Sequence, residues 1–176
     1  MKNFILLSLL VLTFASCSKD VLDVEFSTTL SQTSDEISVN ETASRVAGGS
    51  FSTEFVLDLS NQDTQPYLNK IKEITLQDVV LTFQGLEALA GNQTATNLTI
   101  TFDDQIVIEL NDFVFGNVAA GQDFILNESA KINEAAGLLL QNKKLNVKVE
   151  GVIPDSAVYH FFITLNTTAK ITANPL

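Results

Sequence analysis

The sequence predicts a mainly β protein: an antiparallel, Ig-like β-sandwich with one amphipathic helix. Three observations predict it. Val, Ile and Thr are abundant throughout, apolar and polar residues alternate in several short segments, and turn residues separate these segments without a strand–helix–strand rhythm. Hydrophobic residues make up 45% of the 176 residues, a share that argues against a disordered chain. We expect a short tether over residues 17–23 and one sandwich domain over residues 24–176.

The strands in the first half of the chain follow from alternation. One begins near Val24, and a second short one lies around residues 37–39. The stretch FSTEFVLDLS, residues 51–60, is the clearest, because its odd positions are apolar or Thr and its even positions are mostly polar. Pro66 suits the start of one or two helical turns. In the following strand the apolar face changes phase around Asp78, which predicts a bulge.

The second half predicts a hairpin, several further strands and the helix. Asp103-Asp104 reads as a tight turn between two alternating segments, and a short strand is expected over residues 112–115. Two strands, LNVKVEGVI and AVYHFFITL, are expected on either side of Pro154-Asp155, and a separate last strand over residues 167–172.

The helix is predicted near residues 127–142. Asn127 suits the N-cap, and Lys143-Lys144 suit the last turn. Apolar residues at three- and four-residue spacing form its buried stripe: Ile132, Ala135, Ala136, Leu139 and Leu140.

The helix and the strand after it, which ends in Val149-Glu150-Gly151, carry a resemblance. Their order is similar to that in LEA14-like β-sandwich domains, and the resemblance covers only the C-terminal third of this chain. The Asn-Pro signature of that family after an early strand is absent, since Asn174-Pro175 lies at the other end of the chain. The resemblance implies a fold and no function.

The charge balance excludes two classes of partner. With 21 Asp and Glu against 10 Lys and Arg, the chain has a formal net charge of −11. Nucleic-acid binding depends on cationic contacts with phosphates, and anionic headgroups need clustered Lys and Arg. Lys143-Lys144 is too small for such a cluster, so neither partner is expected.

The N-terminus has the layout of an export signal. Lys2 precedes a mostly apolar run from Phe4 to Ala15, and small residues lead to Cys17, the one cysteine of the chain. A membrane-spanning helix needs about 20 apolar residues, so this run is too short to be one. An ordinary signal peptide cut nearby, with Cys17 kept as a free thiol or removed, is the alternative.

Residues 14–17, Phe-Ala-Ser-Cys, closely resemble the lipobox of bacterial lipoproteins. The resemblance implies that signal peptidase II cuts between Ser16 and Cys17, and that Cys17 carries a thioether-linked diacylglycerol and an N-acyl chain. Two or more acyl chains give stable attachment to a membrane. The resemblance to bacterial lipoproteins implies that this membrane is the outer membrane. The CSKD opening is similar to that of Bacteroidota lipoproteins, and it leaves open whether the domain faces the periplasm or the cell surface.

No catalytic or metal site is expected. His160 is the one histidine and lies among aromatic residues in a predicted strand, where a structural role is the better interpretation. Zinc lacks ligands, and the oxygens of residues 58–63 and Asp103-Asp104 do not follow calcium-loop spacing. Asp155-Ser156-Ala157 matches the pattern of Bacteroidota periplasmic O-glycosylation, which makes Ser156 a candidate glycosylation site.

Together these features predict a lipid-anchored, non-enzymatic component of the cell envelope with a binding or assembly role. No cofactor is expected beyond the lipid on Cys17; the partners expected are the membrane and a protein of the envelope. The alternatives are a carrier of an apolar ligand inside the sandwich and a hydrolase that uses carboxylates. With no Trp and two Tyr, the chain offers few aromatic platforms for a glycan.

Overall fold

The computed structural model describes residues 23–40, 49–86, 94–95, 98–111, 113–114, 123–153 and 158–175. The predicted cleavage site at Ser16 and Cys17, the tether before Asp23, and Ser156 lie outside the described residues.

The described elements are eleven strands, one 3-10 helix and one α-helix. In chain order they are β1 (Val24–Thr33), β2 (Ile37–Val39), β3 (Gly49–Asp58), the 3-10 helix (Gln65–Tyr67), β4 (Ile71–Gln84), β5 (Thr94–Ala95), β6 (Leu98–Phe102), β7 (Ile106–Leu110), β8 (Phe113–Val114), β9 (Phe124–Ile125), α1 (Ser129–Asn142), β10 (Lys144–Ile153) and β11 (Tyr159–Ala173).

The first sheet has the order β1-β11-β4-β9, and every pairing in it is antiparallel. β2 pairs with the first residues of β11, and β1 pairs with later residues of β11 along the same edge. Between β1 and β2, Ser34 continues the contact with β11: its N–H donates to the Ile163 carbonyl at 2.9 Å, and its Oγ accepts from the Ile163 N–H at 3.0 Å. β1 and β2 therefore form one interrupted edge of this sheet.

The second sheet has the order β3-β10-β6-β7, also antiparallel, and β5 pairs with β8 in a separate two-stranded ribbon. β3 is an edge strand of this sheet and lies near β1 and β2 of the first. The interrupted edge of the first sheet (β1 and β2) and the edge strand of the second sheet (β3) therefore meet along one side of the sandwich.

One continuous hydrophobic core fills the space between the sheets. Phe55, Phe102 and Phe161 are among its largest fully buried side chains, and α1 adds its stripe against β4, β7 and β10. The predicted fold class is confirmed: two antiparallel sheets pack face to face with one helix, as in a β-sandwich.

The predicted bulge in β4 and the predicted hairpin between β6 and β7 are both found at the expected Asp residues. Asp78 has a φ of 50°, and the ladder between β4 and β11 shifts register beside it, which confirms the bulge. Asp103 and Asp104 have φ values of 45° and 56°, which confirms the hairpin between β6 and β7. Asp tolerates the left-handed region better than most residues, so the residue type marks both places.

The helix ends at the expected residue, Asn142, but two of its terminal features differ from expectation. Asn127 is not the N-cap, because the first helical hydrogen bond runs from the Ile132 N–H to the Glu128 carbonyl, and the helix begins at Ser129. Lys143 ends the helix at a φ of 61°, with its Nζ on the Leu140 carbonyl, and Lys144 already belongs to β10.

The predicted separate last strand is wrong. β11 is one strand of 15 residues, since inward and outward side chains alternate without interruption through Asn166 and Thr167. The predicted short strand over residues 112–115 is found as β8, over two residues.

Candidate functional site: a cleft between the edges of the two sheets

A cleft of about 550 Å³ lies where the edge of the first sheet meets the edge strand β3 of the second. One wall is the turn before β2 with the start of β2, and the other is the first half of β3. Its lining residues are Asp35, Glu36, Ile37, Ser38, Ser50, Phe51, Ser52, Thr53 and Glu54. Ile37 and Phe51 are buried and the acidic residues are exposed, so the cleft has an apolar floor and an acidic rim.

Two contacts bracket the cleft along β3. At one end, β2 touches the start of β3 so closely that a Cβ on Gly49 would lie 2.2 Å from Cγ1 of Val39. At the other end, Oε1 of Gln32 accepts a hydrogen bond from the Val56 N–H at 2.6 Å. Between these two contacts β3 pairs with neither β1 nor β2, and the cleft occupies this gap.

The backbone of β3 presents free polar groups to this window. The N–H and C=O groups of successive strand residues point to alternate sides, and β3 pairs with β10 without a register shift. Because the Val56 N–H points away from β10, those of Ser52 and Glu54 do too. Asn146, opposite Val56, agrees, since both its N–H and C=O bond to Asp103 on the far side of β10. Within the described part of the chain, no partner is found for the Ser52 and Glu54 N–H groups.

The carboxylates of the cleft are also without ion pairs among the described residues. The ion pairs between described residues all lie outside the cleft. They are Lys72–Asp23, Lys144–Asp58, Lys148–Glu150 and Lys170–Glu25. Lys148 stands opposite Glu54 in the ladder, yet its Nζ lies 2.9 Å from Oε1 of Glu150. That hydrogen bond is the main cause that raises the pKa of Lys148. Asp35, Glu36 and Glu54 therefore form no ion pair with a described residue, although the charge of Glu54 also contributes to raising the pKa of Lys148.

His160 stands beside the cleft. It pairs with Ser38 across β2 and β11, and its Nδ1 lies 3.0 Å from the Ser38 hydroxyl. A serine nucleophile also needs a third group that orients its base. In the part of the chain that the structure describes, no carboxylate bonds to His160, so the pair is a cross-strand contact at an exposed edge.

The oxygens of residues 58–63 serve their own turn. Oδ1 of Asp58 accepts from the Ser60 N–H at 2.7 Å, and its other oxygen lies 2.8 Å from Nζ of Lys144. These bonds, that to Lys144 first, hold the pKa of Asp58 below its ordinary value. Oδ1 of Asn61 accepts from the Asp63 and Thr64 N–H groups at 3.0 Å each.

Asp103 is likewise engaged. Its Oδ1 accepts from the N–H and the side-chain amide of Asn146, at 2.9 and 2.8 Å, which joins the hairpin to β10. Among the described residues, no group of three or more His, Cys, Asp or Glu side chains has the arrangement to hold a metal ion.

Four further depressions formed by described residues are smaller than this cleft. They lie over the outer face of the second sheet, beside Gln32, and near Glu109. The carrier and hydrolase alternatives stay predictions. The structure describes no helix with the length and apolar character to cross a bilayer.

Sequence reasoning missed the cleft. Ser38 and His160 are 122 residues apart and meet only through strand pairing. Asp35-Glu36 between two strand segments was a readable signal of an acidic edge, but the opposing wall on β3 could be found only from the sheet order.

No family model matches the chain, and no curated protein matches it significantly. Three solved structures share a distant likeness. The decameric BFDV capsid protein is 10% identical, with a TM-score of 0.43 over 84% of this chain and 99% of that one. The 60-mer BFDV capsid protein is 8% identical, with a TM-score of 0.48 over 87% and 96%. A family 35 carbohydrate binding module from an environmental isolate is 12% identical, with a TM-score of 0.30 over 80% and 89%. At these values the likeness concerns the fold and carries no argument about function.

Proposed function

We propose that this chain is an exported lipoprotein, anchored to the outer membrane through Cys17, whose β-sandwich is a non-enzymatic binding or assembly component of the envelope. The observation that carries the proposal is Phe-Ala-Ser-Cys directly after an apolar run, with the one cysteine of the chain at its end. A lone cysteine in an exported chain otherwise invites unwanted disulfides, and lipidation removes the thiol.

The distance between anchor and domain supports this role. A fully extended segment covers about 3.5 Å per residue, so β1 begins within about 25 Å of Cys17. β1 has 10 residues and spans about 30 Å, and the acidic cleft begins just beyond its far end. The anchor therefore holds one end of the sandwich near the bilayer and leaves the cleft at the other end.

The chemistry of the cleft favours binding over catalysis. Ser38 and His160 form a pair without an orienting carboxylate among the described residues, while the free edge of β3 and the acidic rim offer directional contacts to a partner. Such contacts suit recognition of a protein in the periplasm or at the cell surface.

The test is Cys17→Ala in the full chain, expressed in a bacterium that processes lipoproteins. We expect the variant to leave the membrane fraction and to lose the mass of the diacylglyceryl and acyl groups, because its side chain cannot form the thioether. Ser18→Ala, next to the acceptor, is the matched control and should stay bound and lipidated. Wild-type protein found unlipidated, together with a variant that stays in the membrane, would refute the proposal.

A further inference from the structure

The free edge of β3 combines unpaired backbone groups with an acidic rim. Unpaired N–H and C=O groups on an edge strand are a template for another strand, and proteins usually block or cover such an edge. Here the described residues leave the Ser52 and Glu54 N–H groups open in a cleft of about 550 Å³. An extended segment that pairs with these groups would gain backbone hydrogen bonds, as in other cases of strand addition.

The charges of the rim select the kind of segment. Asp35 and Glu36 lie on one wall and Glu54 on the other, and none has an ion pair within the described residues. Among the described residues that line the cleft there is no Lys or Arg. A segment that carries Lys or Arg at alternate positions would place these cations beside the carboxylates, since alternate side chains of a strand share one face.

A second copy of this chain fits poorly. Two β3 edges placed together would bring acidic rim against acidic rim, in a protein whose formal net charge is −11. Like charges placed opposite each other across an interface disfavour association. The complementary occupant is therefore a different protein with a basic segment.

We propose that the free edge of β3 binds an extended basic segment of a partner protein, which adds to the second sheet as a further strand beside Asp35, Glu36 and Glu54. This inference rests on the proposed function in that it names the partner class for the binding role, and it adds no covalent step.

The test uses the full chain in detergent and two fluorescent peptides of about six residues, a common strand length. In one, Lys alternates with Val; in the other, Glu alternates with Val. Fluorescence anisotropy should show the lysine peptide binding about ten-fold or more tightly than the glutamate peptide, with affinity that falls as salt rises. A lysine peptide with N-methylated backbone nitrogens should bind far more weakly, because it can no longer donate to the edge.

Protein variants locate the binding on β3. Ser52→Pro removes the edge N–H on the side away from β10, where proline is tolerated, and should abolish binding. Ser52→Ala keeps the N–H and should bind as wild type does. Glu36→Gln and Glu54→Gln should each weaken binding about two- to five-fold, while Glu109→Gln on β7 should not change it.

Four outcomes would overturn the proposal: equal binding of the lysine and glutamate peptides, equal binding of the N-methylated peptide, full binding by a folded Ser52→Pro, or a dimer of the full chain that Ser52→Pro dissociates. If Ser52→Pro does not fold, the N-methylated peptide decides alone. Failure of the anchor test leaves these measurements unaffected, because they are made in detergent, so the two proposals fail separately.

Discussion

At the scale of single residues, a side-chain hydrogen bond lies beside the bulge in β4. The Thr167 hydroxyl donates to the Gln77 carbonyl at 2.9 Å, next to the register shift at Asp78. Thr167 is 1% exposed, so its hydroxyl needs a partner within the protein. The bond to Gln77 therefore satisfies a polar side chain that the core would otherwise leave unpaired.

We expect Thr167→Val to lower the free energy of unfolding by about 0.5–1.5 kcal/mol, because the isosteric change removes the hydrogen bond between the Thr167 hydroxyl and the Gln77 carbonyl. Chemical denaturation measures the loss. Thr168→Val, next to it on the outer face, is the control and should change stability by less than about 0.5 kcal/mol. Equal effects of the two variants would contradict this account.

Asp58 predicts a small acid-dependent loss of stability. Its pKa is lowered, so its ionised form stabilises the fold above the unfolded pKa, and that contribution disappears as the pH falls through the lower folded pKa. Because the side chain is about a third exposed, we expect under about 1 kcal/mol. In Asp58→Asn the part of the acid-induced loss below about pH 4 should shrink, as followed by urea denaturation, while Asp63→Asn should resemble wild type. If Asp58→Asn left the pH dependence of the free energy of unfolding unchanged, the Asp58–Lys144 pair would not contribute to acid stability.

At the scale of elements, the residue type signals some of the positions with positive φ but not all of them. Asp78, Asp103 and Asp104 have positive φ, and Asp is a residue type that signals such positions. Lys143 has positive φ too, at the end of α1, and nothing in the sequence marks it as the residue where the helix turns into β10. The bulge and the hairpin were therefore predictable from the residue type. The helix ends at the expected Asn142, but the left-handed conformation of Lys143 was not predictable.

Two glycines give an element-scale prediction of opposite sign. At Gly85, after β4, φ is +92° and an added Cβ would lie 2.8 Å from the His160 carbonyl oxygen. Gly85→Ala should therefore destabilise the protein by more than about 1 kcal/mol. In α1, a Cβ on Gly137 would meet nothing within 4 Å, and Gly137→Ala should stabilise by about 0.5–1 kcal/mol. Thermal denaturation compares the two; a shift of the same sign in both would show that local backbone freedom is not the cause.

At the scale of the whole molecule, the two sheets place the free edge of β3 beside the interrupted edge formed by β1 and β2. The predicted anchor precedes β1, and the cleft lies beyond the other end of that strand. The anchor variant and the peptide measurements therefore test two separate proposals. Separate outcomes are expected because no residue is shared between them.

The sequence by itself determined the β-sandwich class, the amphipathic face of β3, the bulge at Asp78 and the helix stripe, because alternation and turn chemistry are local properties of the chain. It also carries the lipobox-like signal at Cys17, which stays a prediction. Tertiary structure decided that β11 is one strand, that Ser38 meets His160, and that Glu36 faces Glu54 across a cleft. Strand order is set by the packing of distant segments around a common core, and no local pattern records which edges are left free.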